Sequence, residues 1–254
     1  MKRRLFLFLS LWLPFGLVNA AAPAGDKSPT TFRIGIAPHT SARVIVQMYQ
    51  PLRAYLEKAL GRPVTVVTAS DFTEFARRGL LQEYDLAVTT GHQARLFESD
   101  AGYLPLLTYK ADFKAVVLVD KKSRFQKPGE LAGSTVIGLS PSSLVTIWGE
   151  HWLHRNNIAN VQMRYVSASD SAVQLALNGE GSAAMTSLAN YQNLRPEVRD
   201  KLRILDESVP LAGRVYLLNK RNAALKEKIA GALWAFAETP EAVEYFAKYN
   251  LDGY

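Results

Sequence analysis

The chain has 254 residues, no cysteine and a formal net charge of +7. With 48% hydrophobic and 21% charged residues it is long and apolar enough for one large domain or two lobes, which excludes disordered, collagen-like and coiled-coil classes. The lack of cysteine excludes disulfides, thiolate chemistry, cysteine metal sites and lipid attachment at a cysteine.

The first residues read as an export signal. Lys2-Arg3-Arg4 is basic, residues 5–18 are apolar with a break at Pro14, and Val18-Asn19-Ala20 predicts cleavage after Ala20. The apolar run is shorter than the roughly 20 residues of a spanning helix. A mature protein free in the periplasm of a double-membraned bacterium is expected. The leader carries Lys2, Arg3 and Arg4, so the mature chain keeps only a mild positive bias, which attracts anions. No basic run interleaves with aromatics, and nucleic acid is not an expected partner.

After a short polar leader, residues 32–37 alternate as a first strand. Val44, Ile45, Met48, Leu52, Tyr55, Leu56 and Leu60 then recur at helical spacing, and Gly61 with Pro63 ends that helix. Residues 64–69 form a β-branched strand, and Ser70-Asp71 caps a helix holding Phe72, Phe75 and Leu80. A third strand at 84–90 turns through Gly91-His92 into another helix. This β-α-β-α-β-α order predicts a parallel sheet covered on both faces. Two more strands follow at 104–109 and 114–119.

A second unit starts with a strand at 135–139 and a helix over 141–155, with Pro141 as its first residue. A strand at 161–166 leads to Ser167-Ala168-Ser169-Asp170, which reads as a helix cap. Short strands follow at 183–185, 203–205 and 215–218, then amphipathic helices at 223–236 and 241–249. The expected division is a signal over 1–20, a first lobe from 26–115 and 215–254, and a second lobe from 116–214.

In open α/β sheets, ligands sit at the carboxyl ends of strands. Those ends carry hydroxyls in both lobes: 38–40, 69–71, 89–92, 140–143, 167–170 and 186–187. The turn at Ser140-Pro141-Ser142-Ser143 stands out, with three hydroxyls before a helix. They either cap the helix or turn toward a bound oxyanion.

The chain also resembles a known family, the phosphate/phosphite/phosphonate-binding periplasmic proteins of ABC importers. The residues that carry the likeness are Gly35-Ile36-Ala37-Pro38, Tyr49-Gln50-Pro51-Leu52-Arg53-Ala54-Tyr55-Leu56-Glu57, Gly61 with Pro63-Val64, Asp71-Phe72, Tyr84-Asp85-Leu86-Ala87 and Gly91. Pro141-Ser142-Ser143 and residues 172–180 continue it. The resemblance implies a two-lobed type II periplasmic-binding-protein fold, each lobe a mixed, mostly parallel sheet flanked by helices. It also implies that the Ser140–Ser143 turn holds a tetrahedral oxyanion. The chain departs from the family in three places. Leu144-Val145 stand where a hydroxyl and a glycine are usual, Ser169 where a histidine is usual, and Ser182 where an aspartate is usual.

A micromolar ligand needs about 8 kcal/mol, and one helix N-terminus supplies at most about 2 kcal/mol to an anion, so donors from both lobes must converge. The main candidates are Thr89, Thr90, His92, Ser142 and Ser143. Pro38, His39 and Thr40 shape the floor. Ser70, Gly91, Ser140 and Ser169 occupy neighbouring strand ends, and Arg214 stands near the return crossing. His151 and His154 share a helix face with Glu150, but nothing completes a metal set, so no metal is expected. Trp148 and Trp152, at i and i+4, are read as packing. No nucleophile elbow, His-Glu-x-x-His or glycine-rich phosphate loop is present, so no catalytic residue and no cofactor are expected. The expected protein is a monomer that binds a small polar, oxyanionic ligand for an ABC permease. The alternatives are a ligand-sensing partner of a membrane histidine kinase, or a family member with a changed ligand.

Overall fold

The computed structural model describes residues 30–254, so the signal and its cleavage site lie outside the described residues. Two five-stranded sheets organise the chain. The first contains β1 (Phe32–Ile36), β2 (Val64–Val67), β3 (Leu86–Thr90), β4 (Leu104–Thr108) and the late strand β10 (Arg214–Leu218). The second contains β5 (Ala115–Asp120), β6 (Thr135–Gly138), β7 (Gln162–Tyr165), β8 (Ala183–Ser187) and β9 (Leu202–Glu207). The strand orders are β2-β1-β3-β10-β4 and β7-β6-β8-β5-β9.

The pairings make both sheets mixed. β1 runs parallel to β2 and β3, whereas β10 is antiparallel to both β3 and β4. β6 runs parallel to β7 and β8, whereas β5 is antiparallel to both β8 and β9. In each sheet a single strand therefore opposes the rest. That strand is the one that follows a crossing between the sheets, and its reversal places the start of β10 beside the carboxyl end of β3.

Helices cover both faces of each sheet. α1 (Ala42–Met48), α2 (Gln50–Leu60), α9 (Lys226–Ala237) and α10 (Pro240–Tyr249) pack on one side of the first sheet. α3 (Phe72–Leu80) and α4 (Gly91–Ala101) pack on the other. That second core also takes in Ala115, Leu139 and Val145, so one apolar cluster runs from the first sheet into the second. α5 (Leu144–Arg155) and α6 (Ser169–Leu177) cover opposite faces of the second sheet, joined by the short helices α7 (Leu188–Gln192) and α8 (Pro196–Arg199).

Several local expectations need correction. The helix expected from Val44 to Leu60 is two helices meeting at Tyr49. Pro51 lacks the N–H that would bond back across the junction, so the ladder restarts there. The helix expected from Pro141 begins instead at Leu144, with Ser143 as its cap. Pro141 sits inside a turn closed by the Ser143 amide on the Ser140 carbonyl at 2.9 Å, a position that suits its fixed φ. α6 has Ala168 at its N-cap with no side-chain cap bond, so the hydroxyls around it do not cap it. α7 and α8 are too short for a periodic signal and have no counterpart in the sequence reading. α9 is preceded by a 3₁₀ turn, Lys220–Leu225, so it begins later than the expected residue 223.

Two family-like motifs have structural explanations. Tyr84 lies flat against Gly35: a Cβ on that glycine would stand 2.4 Å from the ring. Asp85 accepts the Arg33 amide at 2.8 Å, Arg221 at 2.8 and 3.0 Å, and Asn222 at 2.9 Å. Both stand at the start of β3, the end of the sheet opposite the strand-end hydroxyls.

Candidate functional site

The carboxyl ends of β1 and β3 face those of β6 and β8 across a cleft. Hydrogen bonds from both sides cross it. The Thr73 and Ser142 hydroxyls lie 2.9 Å apart, His92 Nε2 donates to the Ser142 carbonyl at 2.9 Å, and Asn190 Nδ2 donates to the His39 carbonyl at 2.9 Å. In the neutral His92 ring the bond to the Ser142 carbonyl requires the Nε2–H tautomer, in which Nδ1 accepts from the Thr90 hydroxyl at 3.2 Å. Burial pushes the His92 pKa below the ordinary value, against the opposing effect of the Ser142 carbonyl.

The Ser142 and Ser143 hydroxyls of the turn are satisfied by the protein itself. Ser143 is fully buried; its oxygen accepts the Thr146 amide at 3.2 Å and its O–H donates to Thr146 Oγ1 at 2.9 Å. Ser142 is engaged with Thr73, and its carbonyl with His92. Ser140 Oγ lies 3.5 Å from Ser142 Oγ and lines a shallow pocket on the far side of the cleft, beside Asp71 and Tyr165. Leu144 and Val145 fill the space ahead of the helix together with Phe72, Phe113 and Leu139. They leave a partly open void of about 20 Å³, lined also by Thr90, Ser143 and Ser187, which holds one water at most.

Arg214 is the contrast. It begins β10 in register with Thr90 and is 9% exposed, yet its Nη1 has no hydrogen-bond partner. No carboxylate lies within ion-pair distance of it among the described residues. A buried guanidinium without an anion is costly, and an incoming oxyanion removes that cost. His39 lies close enough to feel this charge. Burial first, then Arg214, hold its imidazole well below the usual range, while the Nδ1–H bond to the Ala37 carbonyl at 2.9 Å acts in the opposite direction.

Arg214, His39 and Asn190 line the small void and also a groove of about 970 Å³ that opens from it. Thr40 and the buried Ser169 line the groove as well. Thr90 lines the void, and Gly91 must be glycine, since a Cβ there would meet the Ala212 methyl at 2.4 Å. The other expected site residues stand apart from both cavities. Thr89 is buried within the first lobe, donating to Gln93 at 2.7 Å. Ser70 donates to Asp71 at 3.1 Å on the exposed surface. Pro38 is buried next to His39. Asn190 is absent from the sequence reading. Its only signal is Ser187, which caps α7 by accepting the Asn190 amide at 3.2 Å. No cluster of metal-ligating side chains occurs among the described residues, and Trp148 and Trp152 stack with centroids 6.0 Å apart while Trp152 donates to Asp206 at 2.7 Å.

Comparison with solved structures places the fold. PhnD1 from Prochlorococcus marinus in complex with methylphosphonate matches with a TM-score of 0.78 at 12% identity, over 88% of this chain and 91% of that one. A binding protein component of an ABC phosphonate transporter from Pseudomonas aeruginosa also matches with a TM-score of 0.78, at 14% identity, over 88% of this chain and 80% of that one. A Xanthomonas citri protein bound to chloride ion matches with a TM-score of 0.70 at 16% identity, over 88% and 90%. At such identities the likeness shows the two-lobed type II periplasmic-binding-protein fold. Comparison with curated proteins returned no match. The family model described as "ABC transporter, phosphonate, periplasmic substrate-binding protein" matches residues 34–254. The chain therefore belongs to the family of periplasmic phosphonate substrate-binding proteins of ABC transporters.

Proposed function

We propose that the protein captures a small oxyanionic solute between its two lobes in the periplasm and delivers it to an ABC permease, with no chemistry on the ligand. One observation carries this reading: Arg214 is a nearly buried guanidinium at the cleft with an unpartnered Nη1. Its neighbours supply neutral recognition. Asn190 joins the lobes, His39 is held uncharged, and Ser169 faces the same groove. Closure around the anion would then exclude water and strengthen each charge-assisted bond. The family description favours a permease over a sensor kinase as the membrane partner. Export by the leader with cleavage after Ala20 fits this location.

The test is calorimetry and thermal-shift screening of the mature protein against phosphate, phosphite, alkylphosphonates and sulfonates. An oxyanion ligand at 100 Kd stabilises by about 2.7 kcal/mol. Arg214→Gln should abolish the shift. If no oxyanion alters the melting temperature, the reading is wrong.

A further inference from the structure

We infer that residues 250–254 form a strap that favours the closed arrangement of the two lobes: their backbone is tied to the first crossing between the sheets, and the Asn250 side chain to α7 on the second lobe. The lobes are joined by residues 109–114 and 208–213, which pair with each other at Phe113 and Leu211. Lobe motion in such a protein is a bend of these crossings. Their residues are not equally free to bend. The Thr108 hydroxyl, just before the first crossing, donates to the Arg214 carbonyl at 2.7 Å. The Tyr109 hydroxyl is bonded to those of Tyr216 and Tyr245 inside the first lobe. The Lys110 amide donates to the Gly253 carbonyl at 3.0 Å and the Ala111 amide to the Leu251 carbonyl at 3.2 Å. The crossing is thus fixed to the first lobe as far as Ala111, and its bend falls on residues 112–114.

The strap's sequence suits this place. α10 ends at Asn250 in the left-handed region (φ 53°), and Asp252 (φ 52°) and Gly253 (φ 83°) repeat that conformation. Asn, Asp and Gly are the residues that adopt it most readily. The resulting curl buries Leu251 and Tyr254 and sets the Tyr254 ring 5.5 Å from that of Tyr109 and 5.1 Å from that of Phe246. With these side chains anchored in the first lobe, Asn250 reaches the second: its Nδ2 donates to Asn193 Oδ1 at 3.3 Å. Asn193 is the C-cap of α7, and α7 also meets the first lobe through Asn190 on the His39 carbonyl. Opening at the crossings carries α7 away and breaks the Asn250–Asn193 bond, while the bonds to Lys110 and Ala111 stay. A bond made only in the closed arrangement raises its population before any ligand arrives, so less of the ligand's affinity is spent on closure.

The experiment measures the distance between lobes in the ligand-free mature protein. The chain has no cysteine, so Val46→Cys on the exposed side of α1 and Asn178→Cys at the exposed end of α6 take a donor and an acceptor dye for single-molecule energy transfer. In this labelled background, Asn250→Gly keeps the left-handed turn and removes the side-chain amide, and Asn193→Ala removes the same bond from the other lobe. Both positions are exposed, so neither substitution disturbs the core. Each should raise the open-to-closed ratio about three- to fivefold, the size expected for one net hydrogen bond, and the double variant should raise it no further than either alone. An unchanged ratio in either single variant, or single effects that add in the double variant, overturns the inference. No ligand enters the measurement, so its outcome is independent of what the cleft binds.

Discussion

Two polar clusters face the cleft, and they differ in what is left unpaired. At Ser140–Ser143 the side chains of Ser142 and Ser143 have internal partners: Ser143 caps α5, Ser142 meets Thr73, and the Ser142 carbonyl takes His92. At Arg214 a guanidinium is buried beside a neutral histidine with one nitrogen unbonded. A satisfied cluster stabilises the resting protein; an unsatisfied one is stabilised by its ligand. On the proposed reading the first cluster is a latch between lobes and the second the receptor.

Substitutions should separate the two. The largest effect is expected at Arg214. Arg214→Gln should cost roughly 3 kcal/mol of anion binding, the upper end for a charge-assisted bond, which calorimetry would read as a loss of about a hundredfold. The unliganded protein should melt at the same or a higher temperature, because an unpaired buried charge has been removed. A lower melting temperature without ligand would place Arg214 among the structural residues. Next in size, Ser143→Ala should destabilise by about 1 kcal/mol through loss of the α5 cap. That loss should be the same with and without anion in chemical denaturation. Asn190→Ala removes the bond to the His39 carbonyl and should weaken anion binding by about 1 kcal/mol, roughly fivefold, and should also lower the unliganded midpoint, since that bond is already made in the resting protein.

The smallest effect is the pH dependence. Both His39 and His92 titrate below the ordinary histidine value in the folded protein. Folding therefore favours their neutral forms. Their contribution is complete above the unfolded value of about 6.5 and is lost as pH falls below it. The melting temperature should drop between pH 7.5 and pH 5, and His39→Asn should flatten the drop more than His92→Asn, since burial and Arg214 act together on His39. A flat profile in the wild-type protein would remove the electrostatic link between His39 and Arg214.

The sequence made the scaffold legible because its signals are local. Alternation at residues 32–37, the β-branched run at 64–67 and the Gly61 and Pro63 stop signals each mark one element, and the order of elements fixes the layered architecture. The family-like motifs that are clearest, Gly35 with Tyr84 and Asp85, proved to be packing and pairing devices at the far end of the first sheet. The site was less legible for a physical reason. A serine before a helix reads the same whether it caps or binds, and only the bond from the Thr146 amide decides it. The return crossing marks Arg214 as a candidate, but only β10 running antiparallel to β3 brings that strand start to the carboxyl edge. Asn190 sits on a five-residue helix that no periodicity announces.

The most direct test compares two variants in one thermal-shift experiment with a saturating phosphonate: Arg214→Gln, and Ser142→Ala combined with Ser143→Ala. The double serine variant should melt lower than wild type but keep its full ligand-induced shift. Arg214→Gln should keep its unliganded melting temperature and lose the shift. The opposite pattern, with the shift lost in the serine variant and retained in Arg214→Gln, would contradict the assignment and return the oxyanion to the hydroxyl turn.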